Sequence, residues 1–273
     1  MIQVQNNYTS VVGDGDITSE IMFPYPRHTI AEVSSAVECP TFVLEFLEAA
    51  IQQADTSVNI RTIKGDEAFP AGSTVVHLEG NGRAILTAWQ VAVPLMELSL
   101  AVLARIKEVK QVLEQVRIGI THRLDLSPES DKIIKYTVEQ AGGITFGSRL
   151  DEIIYISLEH VHWVGDARRA AEKAIAEAGD IRKIIKIVVE VDNIDEAISL
   201  LDLQIDYVWC RGMTAEEIKY VGRTTKGWLH FIIDESIPLE EAKTLRDSGV
   251  RLYALDLSGL KVKENSLSLN FIE

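Results

Sequence analysis

Hydrophobic and polar residues follow one pattern before about residue 115 and a different pattern after it. In the first part, residues 40–54 place apolar side chains at helical spacing, and two segments alternate like half-solvated strands: TSVNIRTIK and STVVHLEG. Residues 83–115 continue as a long helical pattern, which Pro94 should kink or interrupt because proline removes a backbone donor. The first part is therefore predicted to be α+β, with the long helix bridging it to a second domain.

The second part alternates short apolar runs with helical segments, as a parallel sheet covered by helices requires. The predicted strands are VRIGIT, ITFG, IIYISL, KIIKIVVEV, IDYVWC, WLHFII and RLYALD. The predicted helices cover residues 128–140, 166–178, 193–201, 214–221 and 238–248. Asn193 with Glu196, and Thr214 with Glu217, have the spacing of capping boxes at two of the helix starts.

About seven strands with helices between them predict an α/β fold in the form of a (β/α) barrel. A complete eight-fold barrel typically needs about 250 residues. This part of the chain is much shorter, so a reduced barrel is predicted, with domains at residues 1–110 and 111–262. An open doubly wound sheet is the alternative, although no GxGxxG motif follows the first strand.

Charge and cysteine content narrow the classes of partner. The chain has 27 basic and 41 acidic residues, and its formal charge of −14 repels nucleic acid and anionic membrane surfaces. Cys39 and Cys210 lie far apart, which indicates neither a disulfide framework nor a cysteine zinc site. The first residues lack a signal-peptide pattern, and no apolar run approaches the roughly 18 residues needed to span a bilayer. A cytoplasmic location without membrane or nucleic-acid partners is expected.

The stretch IIYISLEHVHW reads as a buried strand that ends in polar residues. Glu159, His160 and His162 could bind zinc, but positions i, i+1 and i+3 in a strand-to-loop segment do not fix a tetrahedral site. No metal site is therefore predicted there. Trp209 and Trp228 are predicted to lie in the barrel core.

Two other pairs could bind a ligand at strand ends. Glu190 and Asp192 point the same way on a strand, so they could bind a divalent cation or ribose hydroxyls, or they could be solvated acids. His122 and Arg123 follow the first barrel strand, where they could bind an anion or only carry surface charge. Farther along, Gly142 with Gly143 is predicted to stop a helix and then allow a close backbone approach.

The order of several sequence blocks resembles one family along nearly the whole chain. The blocks are GDITSEIMFP, EGNGRAILTAWQVAV, AGGITFGSRLDEIIYISLEHV, VVEVDNIDEA and DYVWCRGM. They are similar to those of quinolinate phosphoribosyltransferase, also called nicotinate-nucleotide pyrophosphorylase. The resemblance implies an N-terminal open-faced α+β sandwich, completed by a C-terminal strand at residues 263–273, and a reduced α/β barrel. It also implies a homodimer in which one subunit's N-terminal domain caps the partner's barrel.

At several positions the family's cationic residues are replaced. The glutamate and arginine of the long helix correspond to Trp89 and Gln90. The histidine and arginine that end the glycine-rich block correspond to Phe146 and Gly147, and the lysine of the next strand corresponds to Ser157. By the same resemblance, Gln90 would be contributed by the partner subunit.

At other positions this chain has a residue of the opposite charge to the family's residue, or an acidic residue in place of a neutral one. An aspartate that helps bind ribose or metal in the family corresponds to Arg211, and a phosphate-holding serine with two glycines corresponds to Asp234, Glu235 and Ser236. The first barrel strand ends in Thr121, His122 and Arg123 where the family has threonine, arginine and lysine. The family's residue type is kept at His160, Glu190 and Asp192. The candidate pocket is His122, Arg123, Ser157, His160, Glu190, Asp192, Arg211 and Asp234.

These replacements predict loss of the family's activity. Its substrates, phosphoribosyl pyrophosphate and a pyridine dicarboxylate, require several cations in the pocket. Losing about four charge-assisted hydrogen bonds would cost about 6 kcal/mol or more, on the order of 10⁴-fold in affinity. The predicted function is a degenerate homologue that binds a small molecule or regulates, with no cofactor beyond Mg²⁺ for a phosphorylated ligand. The alternatives are a phosphoribosyltransferase-like enzyme rebuilt for a less anionic substrate, or a true family enzyme whose pocket residues are aligned differently.

Overall fold

The computed structural model describes residues 8–62, 67–113, 119–122, 130–146, 151–257, 260 and 266–272, with the backbone alone at 122, 130 and 131. The chain divides into two compact units, Met1–Val102 with Leu260–Glu273, and Leu103–Gly259. Strands β1 to β12 span His28–Ser35, Cys39–Pro40, Asn59–Thr62, Ala68–Phe69, Ser73–Asn81, Gly119–His122, Ile154–Ile156, Ile187–Val191, Tyr207–Cys210, Phe231–Asp234, Val250–Leu255 and Leu267–Ile272. Helices α1 to α9 span Ile17–Met22, Glu45–Ala54, Gly82–Leu113, Ser130–Gln140, Leu158–Val164, Ala167–Ala178, Ile194–Ser199, Ala215–Thr224 and Leu239–Ala242.

The first unit is built on an antiparallel sheet in the order β12-β1-β5-β3. Alternation along β1 and β5 buries Ala31 and Val33 of one strand beside Val76 and Leu78 of the other. The last strand of the chain, β12, pairs with β1 from Leu267 opposite Ser35 onward. The first unit is therefore an antiparallel sheet domain to which the C-terminal strand returns.

Helix α3 is continuous through Pro94, so the predicted interruption is not seen. An 18-residue window of this helix has a mean hydropathy of 1.6, and 56% of that window is buried. By length and composition alone such a helix could cross a membrane. The expectation that no apolar run approaches the roughly 18 residues needed to span a bilayer is therefore wrong. A buried core helix of a soluble protein passes the same test, and burial of Ile85, Ala88, Ala92 and Met96 fits that case.

The second unit is built on a parallel sheet in the order β6-β11-β10-β9-β8-β7. Side chains on or beside five neighbouring strands meet in a single cluster together with Phe146: Ile153, Val188, Trp209, Ile232, Leu252 and Ala254. One face of the parallel sheet therefore carries a continuous core across five strands, as the interior of a barrel-like sheet does. This confirms the predicted reduced α/β barrel.

Several local predictions can be compared with the structure. Residues 144–146 of the ITFG segment form no strand, although the Ile144 amide donates to the Ile120 carbonyl oxygen at 2.8 Å. Gly142 has φ 75° at the end of α4, and a Cβ on Gly143 would lie 2.5 Å from Val138 Cγ1. The predicted helix stop and close approach are thus confirmed.

The predicted helix starts are largely confirmed. Thr214 and Glu217 form the full capping box, because each backbone amide donates to the other's side chain. Asn193 caps α7 by accepting from the Glu196 amide at 2.9 Å. The predicted helix at 238–248 is shorter, since α9 gives way to a 3₁₀ turn over Lys243–Ser248.

Candidate functional site at the barrel mouth

Three charged side chains meet at the carboxyl ends of neighbouring strands of the barrel. Glu190 lies near the end of β8, Arg211 follows β9 directly, and Asp234 ends β10. Arg211 Nε lies 3.3 Å from Glu190 Oε1, and Arg211 Nη1 lies 2.5 Å from Asp234 Oδ2. We call these three residues the mouth cluster. One guanidinium is therefore shared by two carboxylates.

The mouth cluster is held in place by neutral partners as well as by charge. Glu190 accepts from the Tyr155 hydroxyl at 2.5 Å and from the Leu158 amide at 3.0 Å. The Arg211 guanidinium carbon lies 5.8 Å from the ring centroid of buried Trp209, within cation–π range. The Glu190 side chain is only 10% exposed. Because a carboxylate buried to this extent needs a counter-charge, Arg211 has a structural role in addition to any role in binding.

A cavity of about 420 Å³ opens beside the mouth cluster. Its lining residues are Leu158, Arg211, Gly212, Asp234, Glu235, Ser236, Ala254 and Asp256. Glu235 Oε1 accepts from Arg105 Nη2 at 2.9 Å, and Asp234 Oδ1 accepts from the Ser236 amide at 3.0 Å. Arg105 and Arg211 are thus both in ion pairs with acids. The cavity lining has mixed charge, because three of its eight residues carry carboxylates: Asp234, Glu235 and Asp256.

Ser157 and His160 lie together at the start of α5 rather than on a strand and loop. Ser157 is the N-cap residue of α5, and its amide donates to His160 Nδ1 at 3.2 Å. The Ser157 hydroxyl lies 3.0 Å from the same nitrogen and donates to Glu159 Oε2 at 2.5 Å. The hydrogen bond from Ser157 lowers the pKa of the exposed Glu159 carboxyl. The expected strand-to-loop conformation of IIYISLEHVHW is therefore wrong beyond Ile156.

Asp192 is exposed while Glu190 is buried, although both were expected at the same polar strand end. Strand β8 ends at Val191, and the exposed Asp192 accepts a hydrogen bond from Asn193 Nδ2 at 2.9 Å. Asp192 does not line the cavity. Over the part of the chain that the structure describes, no group of three or more histidine, cysteine, aspartate or glutamate side chains could hold a metal ion.

The remaining candidate residues are placed as follows. His122 is the last residue of β6, in register with Leu255, while its side chain and all of Arg123 lie outside the described residues. Gln90 is an exposed residue of α3. Phe146 packs in the barrel interior, whereas Gly147 is not described. The second tryptophan prediction is wrong, because Trp228 is 79% exposed while Trp209 is fully buried.

Sequence reasoning missed Tyr155, Arg105 and the Leu158 amide. Tyr155 stands two residues before Ser157, so strand alternation could have placed it below the mouth. Arg105 lies 130 positions from Glu235, and no local signal links the two. The Leu158 amide becomes a donor to Glu190 only because a helix begins there.

The fold and this site define a class, an α/β barrel protein whose polar site lies at the carboxyl ends of the strands. Residues 102–269 match the family model of the quinolinate phosphoribosyl transferase C-terminal domain, and the chain belongs to this family.

Relatives and solved structures agree with this family. A probable nicotinate-nucleotide pyrophosphorylase (carboxylating) of Methanocaldococcus jannaschii is 28% identical over 214 residues, 76% of this chain and 72% of that protein. Its counterpart in Methanothermobacter thermautotrophicus is 25% identical over 265 residues, 96% of this chain and 90% of that protein. The structure of the nicotinate-nucleotide pyrophosphorylase from Francisella tularensis has a TM-score of 0.79 at 21% identity, covering 98% of this chain and 94% of that one. NadC from Streptococcus pyogenes has a TM-score of 0.82 at 17% identity, covering 100% and 96%.

Proposed function

We propose that this protein is a homologue of nicotinate-nucleotide pyrophosphorylase that does not form nicotinate mononucleotide. In this proposal its barrel mouth binds a small molecule that carries fewer negative charges than the family's substrates. The protein would then act as a binding or regulatory protein in the cytoplasm.

The observation that carries this proposal is the pairing of Arg211 with Glu190 and Asp234. Arg211 stands where the resemblance places an acid, and its charge is balanced by two carboxylates. An incoming phosphate would have to compete with these carboxylates for the guanidinium. Asp234 and Glu235 also stand where the resemblance places the residues that hold a phosphate, so they would repel it.

Loss of cations elsewhere supports the same proposal. Ser157 takes the position of the family's lysine, and its hydroxyl is bonded to Glu159 and His160 within one helix start. Phe146, at a cationic position of the family, is 5% exposed and packs with Trp209. A buried phenylalanine ring cannot bind a phosphate or a carboxylate by charge.

The test is a steady-state assay with quinolinate, phosphoribosyl pyrophosphate and Mg²⁺, with an active family enzyme as the positive control. The expected result is no nicotinate mononucleotide above the background without protein. Turnover near 1 s⁻¹, at the lower end of ordinary enzymes, would refute the proposal and favour a different alignment of the pocket.

A second function is favoured by the open cavity of about 420 Å³. A scaffold kept only for structure could have filled this space, whereas volumes of roughly 300–1,000 Å³ are usual for small-molecule sites. The alternative is therefore a phosphoribosyltransferase-like enzyme that acts on a less anionic substrate. Release of pyrophosphate or phosphate in the presence of a bound ligand would favour this alternative over pure binding.

We also propose that the protein is a homodimer. The first unit exposes large apolar side chains near its N-terminus, with Ile17 at 70%, Ile21 at 72% and Tyr25 at 79% exposure. Exposed apolar patches of this kind often mark interfaces. The family resemblance further suggests that Gln90 faces the partner subunit's barrel. Light scattering at micromolar concentration should give twice the 30.3 kDa chain mass, and the mass of a single chain would contradict the proposal.

A further inference from the structure

We propose that the end of the barrel opposite the mouth docks an acidic segment of a partner protein that also carries apolar side chains. This inference goes beyond the proposed function, because it concerns the amino ends of the strands and does not depend on what the mouth binds. It is carried by an exposed lysine that lies on aromatic rings, by two large apolar side chains exposed near it, and by the local balance of charge.

Lys186 directly precedes β8 and lies over two aromatic rings. Its Nζ is 5.7 Å from the ring centroid of Phe146 and 5.8 Å from that of Tyr207, within the range of cation–π contacts. The Tyr207 ring lies 6.2 Å from the ring of His230, which precedes β10. Within the part of the chain that the structure describes, Lys186 forms no ion pair with an acid. Its residue is exposed, so the ammonium group can meet a negatively charged partner.

Two large apolar side chains are exposed in the same segments. Ile184 is 84% exposed two residues before Lys186, and Trp228 is 79% exposed two residues before His230. Strands β8 and β10 are the two neighbours of β9, so Ile184 and Trp228 lie on the approaches to strands on either side of Tyr207. We call these five residues the amino-end patch. Exposed apolar groups often mark interfaces, and tryptophan and tyrosine often carry much of the binding energy there.

Arg251 adds a second cation beside the amino-end patch. Its Nη1 donates to the backbone carbonyl oxygens of Arg246 and Val250, at 3.3 Å and 3.2 Å, rather than to an acid. Partial burial, followed by the charge of Arg251, lowers the pKa of His230. At neutral pH the positive charge of this surface therefore comes from Lys186 and Arg251.

The balance of charge at this end differs from that of the whole chain. The segments that lead into or begin the six parallel strands contain nine basic and seven acidic residues, compared with 27 and 41 in the chain: residues 114–118, 147–153, 179–186, 200–206, 225–230 and 243–251. This count includes Glu114, Arg117 and Arg149, which lie outside the described residues. Four of the acids are already in ion pairs: Glu152, Asp180, Asp202 and Asp206.

This arrangement favours a short acidic segment over an extended polyanion. The chain as a whole carries a formal charge of −14, so nucleic acid or an anionic membrane surface would also meet acidic parts of the protein. An acidic peptide can make its contacts within a Debye length of about 10 Å, close to Lys186 and Arg251. Apolar side chains of the same peptide would cover Ile184 and Trp228.

The experiment selects short random peptides, displayed on phage, against the immobilised full-length protein near neutral pH. The enriched peptides are then synthesised and titrated by fluorescence anisotropy. We expect them to be acidic, to contain an aliphatic or aromatic residue, and to bind more weakly as the salt concentration rises. Enrichment of neutral or basic peptides alone, or of no peptide, would overturn the inference.

Variants assign the binding to the amino-end patch. Lys186→Met removes the charge but keeps an aliphatic chain on the rings, and it should weaken the acidic peptide about fivefold or more. Trp228→Ala should weaken it about tenfold or more. The matched controls are Lys173→Met, an exposed lysine of α6, and Trp163→Ala, a 92% exposed tryptophan of α5, and both should leave binding unchanged. Urea midpoints check that each variant is folded. Unchanged binding in both patch variants, or equal losses in patch and control variants, would overturn the inference.

Two other occupants are tested with the same variants. Tighter binding of phosphatidylserine vesicles than of any selected peptide, lost in Lys186→Met, would assign the face to a membrane surface and overturn the inference. A lower mass of Trp228→Ala than of the parent in light scattering would assign it to a second copy of the chain, with the same consequence. We expect neither result.

Discussion

The interior of the barrel and its mouth are formed by residues of the same strands. On each strand, the mouth residue comes two positions after the interior residue. Val188, Trp209 and Ile232 pack in the interior cluster. The next residues on the same face of these strands are Glu190, Arg211 and Asp234, the mouth cluster. One step of strand alternation therefore separates a packed apolar layer from a charged layer. The comparison teaches that a step of two residues along the same strands is enough to change the environment from an apolar core to a charged site.

The lower interior is closed by aromatic packing. Phe146 meets Tyr207 edge to face with ring centroids 5.3 Å apart, and Tyr155 meets Trp209 in the same way at 6.0 Å. Such contacts stabilise a core but offer no charge to a ligand. These aromatic contacts therefore account for the stability of the interior rather than for ligand binding.

The largest effect is expected in the interior. Trp209→Ala should lower the free energy of unfolding by about 3–5 kcal/mol, because it removes a fully buried side chain at the centre of the cluster. Urea unfolding followed by circular dichroism measures this change. The matched control is Trp228→Ala, which is 79% exposed and should stay within about 0.5 kcal/mol of the parent. Similar losses for both variants would contradict the placement of Trp209.

A smaller effect is expected at the mouth. Arg211→Met should cost about 2–3 kcal/mol, since it leaves Glu190 buried without its counter-charge. The double variant with Glu190→Gln should be more stable than Arg211→Met alone, because the unpaired charge is gone. Arg169→Met serves as control, as Arg169 makes a surface ion pair and is 73% exposed. Additive losses in the double variant would show that the pair is not coupled.

The smallest effect is a pH dependence beside the mouth. Burial, followed by the charge of Glu235, raises the pKa of Tyr253 to about 12. Its hydroxyl donates to the Ile237 carbonyl oxygen at 3.2 Å. An unfolded tyrosine ionises near pH 10, so this contribution to stability is complete below about pH 10 and is lost as pH rises towards 12.

Ultraviolet titration of tyrosinate should show one group that ionises near pH 12 in the folded protein. Glu235→Gln should lower that midpoint, because it removes a nearby negative charge, while Asp180→Asn should not. An unchanged midpoint in Glu235→Gln would show that the charge of Glu235 does not raise the pKa of Tyr253.

The sequence predicted the barrel because its cues are local. Short apolar runs and capping residues such as Asn193 and Thr214 depend only on neighbours along the chain, and both cap their helices in the structure. The exposed Trp228 was placed wrongly because hydrophobicity alone does not tell which turn a residue occupies. The helix over 238–248 was too long because the pattern could not distinguish an α-helix from a 3₁₀ turn.

The site could be predicted only in part. The resemblance brought Arg211 and Asp234 to attention, but their ion pair joins residues 23 positions apart on separate strands. Asp192 was paired with Glu190 by strand alternation, but the structure buries Glu190 and exposes Asp192, a difference in burial that alternation alone does not predict. Tyr155 and Arg105 enter the site through packing that no local pattern records.

The most direct test of the proposed function is a calorimetric titration of the protein with phosphoribosyl pyrophosphate in the presence of Mg²⁺. Because Arg211 is paired with Glu190 and Asp234, and Glu235 lines the cavity, the account predicts no binding below about millimolar concentration. The same titration of an active family enzyme gives the reference. A micromolar dissociation constant that Arg123→Ala abolishes would contradict the account, since it would show that the mouth still holds a phosphate with its own cations.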